Sequence, residues 1–220
     1  MKVCVFLGPP GAGKGTQSEM LDSRLGCQHI STGTVIRREI QSGTALGRSV
    51  KALVEGGALV DDETLFKCLE EALKGLEGVE CLLLDGVPRT VSQVALLDHS
   101  LSRLGLKIDV AVALKAPLEK LVSRFASRWT CKNCNSVSTF ENIEARNASV
   151  CPKCKASDSF MRRADDAPEA VRKRLEIYES ETASLVSVFS KRGILVEVPA
   201  DQIAERVYVD VAHAILHFTS

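Results

Sequence analysis

Short runs of Val, Leu and Ile without a polar break recur along the chain, and each gives way to a longer stretch where apolar positions return every three or four residues. The runs at residues 3–7 (in the candidate strand 2–7), 81–84 and 110–114 read as strands buried on both faces, because a half-exposed strand would alternate, and 28–30 and 194–198, which carry polar residues, are the other candidate strands. The stretches at 15–25, 64–76, 91–104, 118–127, 168–190 and 204–216 read as amphipathic helices. Strand and helix in alternation predict an α/β core, a doubly wound parallel sheet covered on both faces. Two intervals break the rhythm. Residues 31–60 carry two short helical patterns and several glycines, and residues 128–163 are polar and contain paired cysteines. Both read as insertions at loop positions of the core.

Composition narrows the classes. The 220 residues are 45% hydrophobic and 25% charged, which excludes disordered and collagen-like chains. Twenty-eight Lys plus Arg balance 28 Asp plus Glu, so no overall basic field points to nucleic acid or to an acidic membrane. The first apolar run breaks at Gly8-Pro9-Pro10, too early for a secretory leader, and no stretch approaches the roughly 18 apolar residues that cross a bilayer. A cytoplasmic protein without a membrane partner is expected, its Cys4, Cys27, Cys68 and Cys81 serving as buried thiols in apolar segments.

The chemistry begins at Gly8-Pro9-Pro10-Gly11-Ala12-Gly13-Lys14-Gly15-Thr16, between the first strand and the first helix. Glycines there let backbone N–H groups turn toward phosphate oxygens, the helix N-terminus adds partial positive charge, and Lys14 adds an ammonium. An ordinary glycine turn would need no lysine. A second signal is Cys131-x2-Cys134, 16 residues, then Cys151-x2-Cys154, the spacing of two turns that present four thiolates to one structural zinc ion. Two redox dithiols or disulfides are the alternatives. Around these cysteines, residues 128–163 hold seven Lys or Arg against three acids. His213 and His217 share a helix face without a third ligand nearby in sequence, and Trp129 reads as a packing residue.

The form GxPGxGKGT, with Gly15 at the usual Ser/Thr position and Thr16 one residue later, resembles the adenylate kinase family. Ser31-Thr32-Gly33 followed by Arg37 resembles the family's monophosphate-binding segment, and Asp85-Gly86-Val87-Pro88-Arg89-Thr90 with Gln93 resembles its DGFPRT...Q motif. Asp85 also reads independently as a carboxylate delivered by a buried strand to the ligand edge of the sheet, where Mg²⁺ and its water shell would sit. Arg128, which follows Arg124, Arg163 of Arg163-Ala164-Asp165-Asp166, and Arg174 resemble by their spacing the family's arginine clamp, and the likeness spans essentially the whole chain.

The resemblance implies a P-loop core at residues 1–30, 61–127 and 164–220, a nucleoside monophosphate (NMP)-binding insertion at 31–60, and a zinc-bearing lid at 128–163. It implies reversible transfer between Mg·ATP and AMP, giving ADP, by a monomer. Lys14, Asp85, Arg89, Arg128, Arg163 and Arg174 would serve the transfer. ATP would be held by Gly11, Ala12, Gly13, Lys14, Gly15, Thr16 and Arg128, with Val137, Ser138 and Gln202 nearby. AMP would meet Thr32, Arg37, Ala58, Leu59, Val60, Gly86, Val87, Pro88, Arg89, Gln93, Arg163 and Arg174. The chain also departs from the family: Thr34 stands where Asp is usual, Val87 where Phe is usual, and Val137, Ser138 and Thr139 where zinc-bearing relatives often carry Thr, Tyr and His. The loop Val198-Pro199-Ala200-Asp201 lacks the common DG form. Two rival readings remain. One is a UMP/CMP kinase, less suited to Thr32, Gln93 and a zinc lid. The other is a zinc-ribbon nucleic-acid binder on a nucleotide switch, less suited to a neutral chain without interleaved aromatics.

Overall fold

In the first strand, β1 (Lys2–Leu7), alternate side chains leave the sheet in opposite directions: Val3, Val5 and Leu7 enter one core while Cys4 and Phe6 enter another. This is why the run has no polar position. The same division holds in β3 (Cys81–Asp85), with Leu82 and Leu84 on one side and Leu83 on the other, and in β4 (Val110–Lys115). The computed structural model describes residues 1–76, 78–140 and 150–218. With β2 (Gln28–Ser31) and β8 (Leu195–Pro199), these strands form one parallel sheet in the order β2-β3-β1-β4-β8.

Helices α1 (Lys14–Leu25), α6 (Leu118–Ser127) and α9 (Ala204–His217) cover one face through Leu21, Leu121, Val207, Val211 and Ile215. The opposite face is covered by α2 (Thr32–Gln41), α3 (Ala45–Glu55), α4 (Asp62–Ala72), α5 (Val91–Ser102) and α8 (Ser184–Lys191). The doubly wound α/β expectation therefore holds. β1 lies between β3 and β4, so the connections leave it in opposite directions and open a crevice beyond the strands' carboxyl ends.

Three findings differ from the sequence pattern. The helix expected over 168–190 is two helices, α7 (Pro168–Ile177) and α8, joined by a wide π turn at Tyr178–Thr182 in which the Ala183 N–H donates to the Tyr178 carbonyl at 2.8 Å. The extra residue lets Thr182 Oγ1 donate to the Arg89 carbonyl at 2.8 Å while Leu185 and Phe189 still enter the core. Second, the interval after α6 contains a three-stranded antiparallel sheet, β6-β5-β7, from β5 (Arg128–Cys131), β6 (Val137–Thr139) and β7 (Phe160–Met161). Third, Cys4 and Cys27 are buried as expected, but Cys68 and Cys81 are only half-buried. Cys81 opens its strand at the sheet margin, and Cys68 lies on the flank of α4 beside exposed Lys67.

The two insertions touch: Gln41 Nε2, at the end of α2, donates to Asn135 Oδ1 at 3.4 Å. Among the described residues no helix is long and apolar enough to cross a membrane. Phe189, wholly buried, is among the largest side chains of the core. Phe189→Ala is expected to cost about 3–5 kcal/mol, read as a fall of roughly 10 °C in Tm by thermal unfolding.

Candidate functional site

The loop between β1 and α1 ends at Gly13, the N-cap residue of α1, whose φ of 100° lies in the left-handed region that glycine tolerates. No side chain caps α1, and its first turn holds no acid. Its leading N–H groups and partial positive charge thus remain available to an anion. Lys14 folds back over the loop, Nζ donating to the carbonyls of Gly8 at 2.8 Å and Pro9 at 3.2 Å. Burial pulls its ammonium down to about 8; Asp85 opposes that shift, and Arg89, Arg174 and Arg128 add to it. Arg124, also on the cavity wall, braces the loop by donating to the carbonyls of Gly11, Ala12 and Ala200. It ties the phosphate loop to the segment after β8.

Facing this loop across a cavity of about 890 Å³ are Arg37, Arg89, Arg128, Arg163 and Arg174. The volume suits a nucleotide. Three of these guanidiniums converge on two adjacent carboxylates in the short 3₁₀ turn Ala164–Asp166. Arg128 pairs with Asp166, its Nε at 2.9 Å from Oδ2; Arg163 pairs with Asp165, its Nε at 2.8 Å from Oδ1; and Arg174 Nη1 reaches Asp165 Oδ2 at 3.1 Å and Asp166 Oδ1 at 3.4 Å. Burial alone would raise the Asp165 carboxyl, but the hydrogen bond and charge of Arg163, with Arg174 and Arg37, hold it well below the usual carboxylate range. Burial and the nearby Arg163 lower Arg37 in turn, and its Nη2 donates to Thr34 Oγ1 at 3.2 Å. Thr34, lacking the carboxylate usual at its position, still accepts a hydrogen bond from Arg37.

A smaller pocket of about 70 Å³ adjoins the cavity and shares Arg37, Arg89 and Arg174 with it. Thr32, Ala58, Leu59, Val60 and Gln93 line this pocket, and Leu59 reaches both. Gly86, on the wall of the large cavity, has φ 86°, and a Cβ there would lie 2.6 Å from Oγ1 of Thr32 in the small pocket. Asp85, Gly86 and Pro88 line the large cavity, where Gly11 to Thr16, Val137, Ser138 and Gln202 also stand. Val87 is the exception among the residues singled out in the sequence. Its apolar side chain is wholly buried in the core and lines neither cavity.

Sequence reasoning quoted Asp165 and Asp166 without giving them a task, and it gave none to Arg124. The acid pair immediately after Arg163 was the available signal. Arg124 offered none, because its acceptors are backbone carbonyls distant in the chain.

The four cysteines of the lid come together, every Sγ within 4.8 Å of the others, with Cys131–Cys154 and Cys134–Cys151 both at 3.6 Å. A tetrahedral site with metal–sulfur bonds of about 2.3 Å requires sulfurs roughly 3.8 Å apart, so the donor set fits one ion. Two equivalent turns build it. The Asn135 N–H donates to the Cys131 carbonyl and the Lys155 N–H to the Cys151 carbonyl, both at 2.9 Å, and Asn135 and Lys155 have φ of 59° and 61°. Among the described residues the surrounding core is minute: Cys131, Cys151 and Phe160, with Trp129, Cys134 and Phe140 packed against it. Trp129 packs as expected, under the Arg162 guanidinium at 4.6 Å. His213 and His217 stack on each other at 4.7 Å on α9, as their spacing suggests.

A phosphate-wrapping loop opposite a converging set of arginines, at the carboxyl edge of a parallel sheet, defines an α/β P-loop phosphotransferase. The particular family follows from comparison. The adenylate kinase family model matches residues 6–194. The protein named adenylate kinase from Kosmotoga olearia is 36% identical over 207 residues, covering 94% of this chain and 95% of the relative. Its namesake from Moorella thermoacetica is 37% identical over 212 residues, 96% of both, and that from Archaeoglobus fulgidus is 36% identical over 207 residues, 94% of both. The chain belongs to the adenylate kinase family.

The position of Lys14 sets a pH dependence. Its ordinary value is 10.5 and its value in the fold is about 8, so the charged form is lost in the free protein as pH rises through about 8. The plot of log kcat/KM for ATP against pH is expected to fall above that point. Lys14→Arg, whose guanidinium stays charged, should remove that limb.

Proposed function

We propose that the chain catalyses reversible, Mg²⁺-dependent phosphoryl transfer from ATP to AMP, yielding two ADP. The observation that carries this reading is the pair of adjoining cavities that share Arg37, Arg89 and Arg174, with the phosphate loop on the far side of the larger one. Two nucleotides with their phosphates meeting at one cation cluster would account for arginines shared between the two cavities. In this reading residues 1–30, 61–127 and 164–220 form the core, 31–60 the NMP-binding insertion and 128–163 the lid.

Phosphoryl transfer needs positioned positive charge more than covalent help. Lys14 and the amides from Gly11 to Thr16 hold the ATP phosphates. Arg128, Arg163 and Arg174 stabilise charge on the transferring group, and Arg37 and Arg89 hold the AMP phosphate. Gln202, Val137 and Ser138 border the ATP nucleoside, while Thr32, Gly86, Gln93 and the segment 58–60 frame that of AMP. Mg²⁺ arriving with ATP supplies charge neutralisation between phosphates, and Asp85 would hold its water shell, a single carboxylate being enough for an ion that retains its waters. Closure of both insertions, a motion for which adenylate kinases are themselves a standard example, excludes water that would otherwise hydrolyse ATP.

The supporting observations extend to partners. Arg128 and Arg163 of the lid face the cavity, and Arg162 donates to the Phe125 carbonyl at 2.9 Å, so this basic charge is committed within the chain. That favours nucleotides over nucleic acid. The free thiols and thiolate site suit a reducing cytoplasm, and one chain supplies both cavities, consistent with a monomer.

ADP with Mg²⁺ is expected to disproportionate to ATP and AMP on nucleotide chromatography, and release of free phosphate alone would defeat the assignment. Arg89→Ala should lower the rate about 10²- to 10³-fold and raise KM for AMP more than for ATP. The metal is proposed to be one structural zinc per chain, held by Cys131, Cys134, Cys151 and Cys154, because the three buried residues of its core among the described residues are too few to fold the lid alone. Elemental analysis should find one zinc, and Cys151→Ser should lower Tm while reducing activity at low temperature only modestly.

A further inference from the structure

Gln93, in the first turn of α5, is 2% exposed and lines the small pocket. Both ends of its carboxamide are engaged. The Arg89 backbone N–H donates to Oε1 at 2.7 Å, and Nε2 donates to Asp62 Oδ1 at 2.6 Å. The partners settle which end is which, because a backbone N–H can only donate and a carboxylate can only accept. Turning the amide over would set N–H against N–H and carbonyl against carboxylate. A carboxamide has two lone pairs and two hydrogens, so one acceptor and one donor remain on this pocket-lining residue.

Asp62 is the first residue of α4 and is not on the pocket wall. Capping of that helix falls to its neighbour Asp61, whose Oδ1 accepts from the Thr64 N–H at 2.9 Å. Asp62 is thus left to hold Gln93. We propose that Asp62 is a specificity-determining positioning residue: by fixing the Gln93 carboxamide in one orientation, it makes the pocket present an acceptor and a donor in an order that matches a 6-aminopurine and opposes a 6-oxopurine. The 6-amino group donates and the adjacent ring nitrogen accepts; in a 6-oxopurine both are reversed, and the site's buried groups face like partners. This role rests on the assignment of the small pocket to the base of the monophosphate. Asparagine at position 62 could turn its own amide to meet either end of Gln93, so only the Arg89 N–H would still oppose the reversed orientation.

The test is initial-rate kinetics with ATP as donor and either AMP or IMP as acceptor, since IMP alters the edge in question without adding a group. Thermal unfolding is followed in parallel. In Asp62→Asn the KM for AMP should rise about tenfold and the AMP:IMP ratio of kcat/KM should fall about tenfold, with KM for ATP unchanged. Glu63→Gln removes the same charge from the same helical turn at an exposed side chain and should behave as wild type. Asp62→Glu keeps the acceptor and should retain the ratio. An unchanged ratio in folded Asp62→Asn, or an equal fall in Glu63→Gln, would overturn the role. If the Asn variant does not fold, the Glu variant decides: a retained ratio supports the role and a lost one refutes it. Wild-type protein that uses IMP as readily as AMP would instead overturn the pocket's assignment, and this role with it.

Discussion

Lys14, Arg37, Arg89, Arg128, Arg163 and Arg174 are among the cationic side chains that line one cavity, and their mutual repulsion is the constraint on which the rest of the structure depends. Two like charges 4 Å apart at an effective dielectric of 20 repel by about 4 kcal/mol. Asp165 and Asp166 offset that cost, their side chains only 10% and 2% exposed where they meet Arg163, Arg174 and Arg128. A buried ion pair gains little over an apolar pair of equal volume. What this network provides is guanidiniums held in place by the chain's own carboxylates, the preorganisation that the proposed transfer would use.

The sheet makes such a concentration of charge tolerable by spending its apolar residues elsewhere. Both faces of β1, β3 and β4 disappear into separate cores, leaving the carboxyl edge of the sheet for polar work. Arg124 shows how tightly the edge is tied to the frame: one side chain on α6 holds the phosphate loop and the segment after β8 together through three backbone carbonyls. Thr182, presented by the π turn, does the same for Arg89.

Much of this was legible in the chain. Strands buried on both faces advertise themselves as unbroken apolar runs, and the phosphate loop and the cysteine pairs carry their spacing openly. The strands β5, β6 and β7 did not, being only two to four residues long; the cysteine turns and their mutual pairing hold them. Nor did the π turn, because one added residue shifts the helical stripe without erasing it. The Asp165–Asp166 pair could be seen but its work could not, since its partners Arg128 and Arg174 are brought in by other elements. Val87 was read from its motif as a contact residue, and its apolar side chain lies in the core instead. The polarity of Gln93 lay further still from the sequence, because it depends on Asp62, 31 positions away.

The way the lid joins the core has a consequence for how such a chain can change over time. It enters through β5 and returns through β7, and these strands pair directly, Thr130 with Met161 and Cys131 with Phe160. Entry and exit therefore stand side by side, and the core sees the same two adjacent chain ends whatever lies between them. An insertion attached in this manner is exchangeable: it can be lengthened, trimmed or replaced by recombination at one spot, while the sheet, the phosphate loop and most of the arginines keep their places.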